Sequence, residues 1–142
     1  MKIRKKARKK MDKNEVIKQA IEAMENAYAP YSKFKVGAAL LTKSGKIYTG
    51  CNIENSSYGA SVCAERVAIF KAVSEGEHDF ELLVVATKTE EPSPPCGICR
   101  QVISEFSNDL PIMLVNDKGS IIETNINKLL PFPFLKERLD RR

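Results

Sequence analysis

Two short segments, Cys63-Ala64-Glu65 and Pro95-Cys96-Gly97-Ile98-Cys99, constrain this 142-residue chain more than any other part of it. They offer three thiols and a carboxylate. A catalytic zinc takes three protein ligands and keeps a fourth position open for water. Glu65 stands two residues after Cys63, so it can reach that open position without being a ligand. Any fold the chain adopts has to bring the two segments together in space, and one Zn2+ per chain is expected where they meet.

The competing reading is a closed structural site of four thiolates that adds Cys51. Structural sites use two close Cys pairs, whereas a polar loop separates Cys51 from Cys63, and Glu65 would have no role in such a site. Cys51 then reads as a small buried strand residue. Four cysteines are too few for a secreted disulfide scaffold, and no apolar segment follows the basic N-terminus as a signal peptide requires. Reduced thiols in a cytoplasmic protein are expected. No apolar run approaches the ~18 residues of a membrane span. His78, the only histidine, lies in the charged turn Glu75-Gly76-Glu77-His78-Asp79 and reads as a surface residue.

Cys63 and Cys96 both fall near predicted helix N-termini, where unpaired N–H groups and the positive dipole end favour thiolates. Three thiolates leave a zinc centre with excess negative charge. Arg66 and Arg100 are at hand to offset it, and Arg66 is the better placed, one helical turn after Cys63. A zinc-bound water would ionise near neutral pH, and Glu65 in a dry pocket would shuttle its protons. Asp would be a methylene short, and Gln carries no proton.

The net charge of +5 belongs to one end of the chain. Residues 1–13 hold eight Lys or Arg against Asp12 alone, a balance of +7, which leaves −2 for the other 129 residues. Residues 1–13 therefore read as a basic extension and residues 14–142 as one domain. A nucleic-acid-binding domain needs a basic face on its folded part, and the count leaves no surplus for one.

A helix is predicted from Asn14, its cap, to about Tyr28, with Val16, Ile17, Ala20, Ile21, Met24 and Ala27 on one face. Residues 34–41 and 46–51 read as a hairpin around Ser44-Gly45, and 52–61 as a loop. A helix over 62–75 ends at Gly76. Then come a buried-type strand at 82–87, a proline-rich loop at 88–95 and a helix at 96–106. Strands at 111–115 and 120–123 flank the tight turn Asn116-Asp117-Lys118-Gly119, and one or two helical turns follow at 125–130. This order predicts an α/β three-layer α-β-α sandwich with a mixed five-stranded sheet, parallel where helices join strands.

The Cys-x-Glu and Pro-Cys-x-x-Cys pair resembles the zinc nucleobase deaminase signature, with Cys where His is commoner. The likeness extends to Ala29-Pro30-Tyr31-Ser32-Lys33-Phe34-Lys35-Val36-Gly37-Ala38-Ala39-Leu40, Gly50-Cys51-Asn52-Ile53-Glu54-Asn55, Cys63-Ala64-Glu65-Arg66 and Pro95 to Arg100-Gln101. Over roughly residues 15–134 the chain resembles the small homotetrameric cytidine deaminases. That resemblance implies a cytidine deaminase-like fold. It implies hydrolysis of cytidine and deoxycytidine to uridine and deoxyuridine with release of ammonia, a pyrimidine salvage step, in which zinc-bound hydroxide attacks C4. Cys63, Cys96 and Cys99 would hold zinc, and Glu65 would be the proton shuttle. Phe34 would pack on the nucleoside, and the Asn52-Ile53-Glu54 loop would hold the ribose. Ala64 would contact the pyrimidine edge, and Tyr58 and Phe134 would reach in from neighbouring subunits. Arg66 and Gln101 would support the ligand segments. The run Leu129-Leu130-Pro131-Phe132-Pro133-Phe134 departs from the family pattern at Pro133, and the basic extension has no counterpart in it.

Two other functions compete. A blasticidin-type deaminase shares the zinc core but lacks the Asn-Ile-Glu loop. A nucleic-acid-editing deaminase would use the basic extension, but such relatives bring in their last strand by a helical crossover rather than a tight turn. A carboxylate at position 54 also repels a 3′ phosphate. A free nucleoside substrate is expected, with no membrane partner and no nucleic-acid partner.

Overall fold

The computed structural model describes residues 12–141; residues 1–11, most of the basic extension, and Arg142 lie outside the described residues. Helix α1 spans Lys13–Met24. Strands β1 (Val36–Thr42) and β2 (Ile47–Cys51) form the first hairpin, and a 3-10 turn at Tyr58–Ala60 precedes helix α2 (Ala64–Ser74). Strand β3 (Phe80–Thr87), helix α3 (Gly97–Phe106), strands β4 (Pro111–Asn116) and β5 (Ile121–Asn125), helix α4 (Ile126–Leu129) and a 3-10 turn at Lys136–Arg141 follow.

The sheet runs β2-β1-β3-β4-β5. The pair joined by α3, β3 and β4, is parallel, and the other three pairs are antiparallel. Strand β1 is buried on both faces, as its unbroken apolar run suggests. Ala39 and Leu41 turn toward α1, where Val16 and Ala20 pack on them with Val84 and Val115. Ala38 and Leu40 turn the other way, toward Ala64, Ala68, Ile69 and Ile103 of α2 and α3. The result is the expected three-layer sandwich around a mixed five-stranded sheet.

Two glycines let helices reach the sheet backbone. A Cβ on Gly37 would lie 2.1 Å from the Ala20 carbonyl oxygen of α1. One on Gly50 would lie 2.3 Å from the Ala64 carbonyl oxygen and 2.6 Å from the Ala68 nitrogen of α2.

Several boundaries differ from the sequence reading, each for a local reason. The cap of α1 is Asp12, whose side chain accepts from the Asn14 N–H, and not Asn14. The helix stops at Met24 because the Tyr28 N–H is taken by the Asn52 carbonyl. Residues 34 and 35 precede β1, since the Phe34 carbonyl accepts from the Asn52 side chain. Val62 bridges to Ile53, so α2 starts at Ala64 with Cys63 as its cap. Strand β3 begins at Phe80, which is buried beside an exposed Glu81. Strand β5 runs on to Asn125, paired with Pro111. Cys51 is half-buried rather than buried, at the open end of β2.

Candidate active site

Cys63 caps α2 and Cys96 caps α3, and Cys99 stands in the first turn of α3. The Sγ atoms of all three lie within 4.8 Å of one another, the one such group among the described residues. Tetrahedral zinc with Zn–S bonds of about 2.3 Å places its sulfurs about 3.8 Å apart. Cys63 Sγ and Cys96 Sγ are 3.6 Å apart. The cluster fits zinc in donor type and in spacing, and Cys51 takes no part in it.

Arg66 donates from Nη2 to Cys63 Sγ at 3.6 Å. Its Nε is buried and has no partner of its own, so the guanidinium is committed to the sulfur cluster. The Cys63 thiol is pulled down to about 5, first by the hydrogen bond from Cys99 and then, against burial, by Arg66. Cys99 is pushed up, first because it gives that hydrogen bond and then because it is buried. One sulfur of the cluster thus ionises readily even before a cation arrives. Arg100, the other cation near the ligands, turns elsewhere. Its Nε donates to the Pro95 carbonyl at 2.9 Å and its Nη1 to the Leu129 carbonyl at 2.8 Å.

Beside the sulfurs opens a cavity of about 240 Å³. Ser32, Phe34, Asn52 and Glu54 line one part, and Cys63, Ala64, Glu65 and Cys96 another. Val36, Val85 and Thr87 of the sheet and Ser93 and Pro94 of the loop after β3 complete it. Glu65 is 3 % exposed, and burial above all pushes its carboxyl up from the usual carboxylate range. A buried carboxyl with a raised pKa is suited to taking and giving a proton.

Glu54 is held rather than free. Its Oε1 accepts from the Tyr31 and Ser32 N–H groups at 3.0 Å each, and its Oε2 from the Ser32 hydroxyl. Those bonds, the Ser32 hydroxyl first, keep it below the usual carboxylate range. Asn52 spends its side chain on the backbone, accepting from Val36 N–H at 2.8 Å and donating to the Phe34 carbonyl at 2.7 Å. It braces the segment that carries Phe34. Ile53 is exposed and does not line the cavity; its backbone bridges to Tyr28 and Val62.

Tyr58 and Phe134 also stay outside the cavity of their own chain. Tyr58 is 76 % exposed, edge-on to Tyr31 with ring centroids 5.8 Å apart. Phe134 is 61 % exposed, and its carbonyl accepts from Gln101 Nε2 at 2.7 Å. Gln101 thus pins the C-terminal segment to α3, the helix of Cys99, and contacts no sulfur among its hydrogen bonds. His78 is exposed and lies against Phe106, away from the site.

The sequence reading had not singled out Ser32, Val36, Val85, Thr87, Ser93 and Pro94. Ser93 and Pro94 sit directly before Pro95-Cys96, and that proximity was the available signal. Val85 and Thr87 read only as buried strand residues.

Comparison with known proteins agrees with this geometry. The family described as the cytidine and deoxycytidylate deaminase zinc-binding region matches residues 10–115. A cytidine deaminase of Sporosarcina psychrophila is 56% identical over 91% of this chain and 96% of its own length. One of Halalkalibacterium halodurans is 50% identical over 92% of this chain and 99% of its own. The crystal structure of a cytidine deaminase from Burkholderia pseudomallei superposes with a TM-score of 0.85 at 46% identity, covering 87% of this chain and all of that one.

Proposed function

This chain belongs to the cytidine and deoxycytidylate deaminase family, and as a zinc-dependent cytidine deaminase we propose that it hydrolyses cytidine and 2′-deoxycytidine to uridine and 2′-deoxyuridine, releasing ammonia. The observation that carries the reading is one cavity in which Glu65 stands beside Cys63 and Cys96 while Glu54 and Asn52 line another part of the wall. Its volume of about 240 Å³ suits a single small ligand.

Cys63, Cys96 and Cys99 would hold zinc, which would supply Lewis acidity toward a water molecule. Glu65 would take one proton from that water and pass it to the pyrimidine N3 as the C4–O bond forms. It would then carry the second proton from the new C4 hydroxyl to the amine at C4, so that the C4–N bond breaks and ammonia leaves. The Ala64 backbone, in the first turn of the same helix, meets the pyrimidine edge. Glu54, kept ionised by Ser32 and Tyr31, accepts from ribose hydroxyls. Asn52 keeps Phe34 against the nucleoside by holding its carbonyl. Val36, Val85 and Pro94 exclude water from the base.

A carboxylate at the sugar end disfavours a chain of phosphates, so the substrate is a free nucleoside and the step belongs to pyrimidine salvage in the cytoplasm. The exposed Tyr58 and Phe134 close the pockets of neighbouring copies in a homotetramer, and sedimentation tests that assembly. No described helix is long and apolar enough to cross a membrane. The activity test is loss of the cytidine absorbance band on mixing enzyme and nucleoside. A zinc-loaded sample that turns over neither nucleoside contradicts the proposal.

A further inference from the structure

Asn116 lies at the end of β4 and is 1 % exposed. Its side chain uses its whole hydrogen-bonding capacity, two donors and two acceptor sites. The Nδ2 group donates to the carbonyls of Thr89 and Glu90, at 3.0 Å each. The Oδ1 atom accepts from the N–H groups of Lys118 at 3.1 Å and Ser120 at 2.9 Å. One half of the amide therefore builds the β4–β5 turn, and the other half fastens that turn to the loop after β3. Lys118 Nζ on Glu90 Oε1, at 2.6 Å, adds a second link between the same two segments.

That loop forms part of the active-site wall. Ser93 and Pro94 line the cavity, and Cys96 follows two residues later as a metal ligand. Within the loop a hydroxyl hub continues the tether inward. The Thr89 hydroxyl donates to the Glu91 carbonyl, which commits its only proton. Thr87, on the cavity wall, must then be the donor in its 2.9 Å contact with Thr89. Ser93 lies 3.4 Å from the same oxygen. The order of contacts runs from Asn116 through Thr89 to Thr87 and Ser93, from an edge of the fold to the pocket. None of these bonds is needed to complete the sheet ladder, and Asn116 touches neither sulfur nor cavity.

We propose that Asn116, acting through Thr89, is a positioning residue for the deaminase site: it fixes the 88–95 loop, and with it the Ser93–Pro94 wall over the substrate and the seat of Cys96. The kinetic half of this inference rests on the cytidine reading given above; the metal half does not.

Asn116→Asp separates the two roles of the amide, since a carboxylate keeps the acceptors for Lys118 and Ser120 and loses the donors to the loop. In that variant zinc loss to a chelator should quicken on the order of tenfold, the scale seen when an outer partner of a metal ligand is removed. KM for cytidine should rise on the order of tenfold, as expected for two lost hydrogen bonds, with kcat falling less. Hydrogen exchange should speed up in the 88–95 loop. Thr89→Val keeps the shape and removes the hub, should shift the same readouts in the same direction, and decides the matter if Asn116→Asp does not fold. A lowered Tm with wild-type KM and wild-type zinc release in either folded variant overturns the proposal. If wild-type protein is inert towards cytidine while the variants still shed zinc faster, the substrate reading fails and the positioning role stands.

Discussion

Gly50 of β2 faces Ala64 of α2 so closely that a methyl group on Gly50 would lie 2.3 Å from the Ala64 carbonyl oxygen. Strand and helix meet backbone to backbone there, and the contact sets where Cys63, Ala64 and Glu65 stand. Gly50→Ala has to push α2 off the sheet, an overpacking cost of roughly 1–3 kcal/mol. Urea unfolding of the zinc-loaded variant should show that loss, with turnover reduced because Glu65 rides on the displaced turn. Wild-type stability and rate would mean the contact yields at no cost.

Arg66 is the cation committed to the sulfur cluster, through Nη2 on Cys63. Arg66→Ala should lower zinc affinity by on the order of 10–100-fold, read by competition with a chelator. Arg66→Lys should recover only part of it, because a point charge does not reproduce the guanidinium fork. Arg100→Ala should act differently, through the Pro95 and Leu129 carbonyls it releases, and the chelator midpoint should move less than for Arg66→Ala.

Much of this architecture was legible in the sequence because it follows local rules. Ser44-Gly45 and Asn116-Asp117-Lys118-Gly119 marked both hairpins, and the unbroken apolar runs of β1 and β3 marked a sheet covered on both faces. The cluster of Cys63, Cys96 and Cys99 was legible because the spacing of those cysteines is itself the signal. Less accessible were features made by side chains that reach across the fold. Asn52 bracing Phe34 and Val36, and Asn116 holding a loop 26 residues away, leave no periodic trace. Element ends slipped for the same reason: Tyr28 and Val62 look helical by pattern, but a neighbouring loop takes their backbone groups.

Glu77 offers a pH signature remote from the metal. Its carboxylate accepts from the hydroxyls of Ser44, Tyr48 and Thr42, which tie the first hairpin to the turn after α2. Those bonds, Ser44 first and Tyr48 next, hold it below its ordinary value of 4.5. The stability it contributes is therefore complete above that value and is lost as pH falls through the lower folded one. Urea midpoints measured from pH 7 down to pH 3 should show wild type and Glu77→Gln converging in acid. A gap between them that stays constant with pH would contradict this.

The exposed Tyr58 ring makes the subunit arrangement testable without a structure of the assembly. Tyr58→Ala should raise KM and leave zinc content unchanged. Mixed oligomers of Tyr58→Ala and Glu65→Gln chains should recover activity if each pocket borrows its aromatic wall from a neighbour. No recovery in mixed species that sediment together would place Tyr58 outside the active site.

The central claim is that Glu65 moves protons beside a zinc it does not bind. Zinc content per chain and cytidine turnover, measured together on Glu65→Gln, test it most directly. The expected result is one zinc per chain, as in wild type, with a rate near zero. Turnover near the wild-type rate, or a variant that has lost its zinc, would contradict that role.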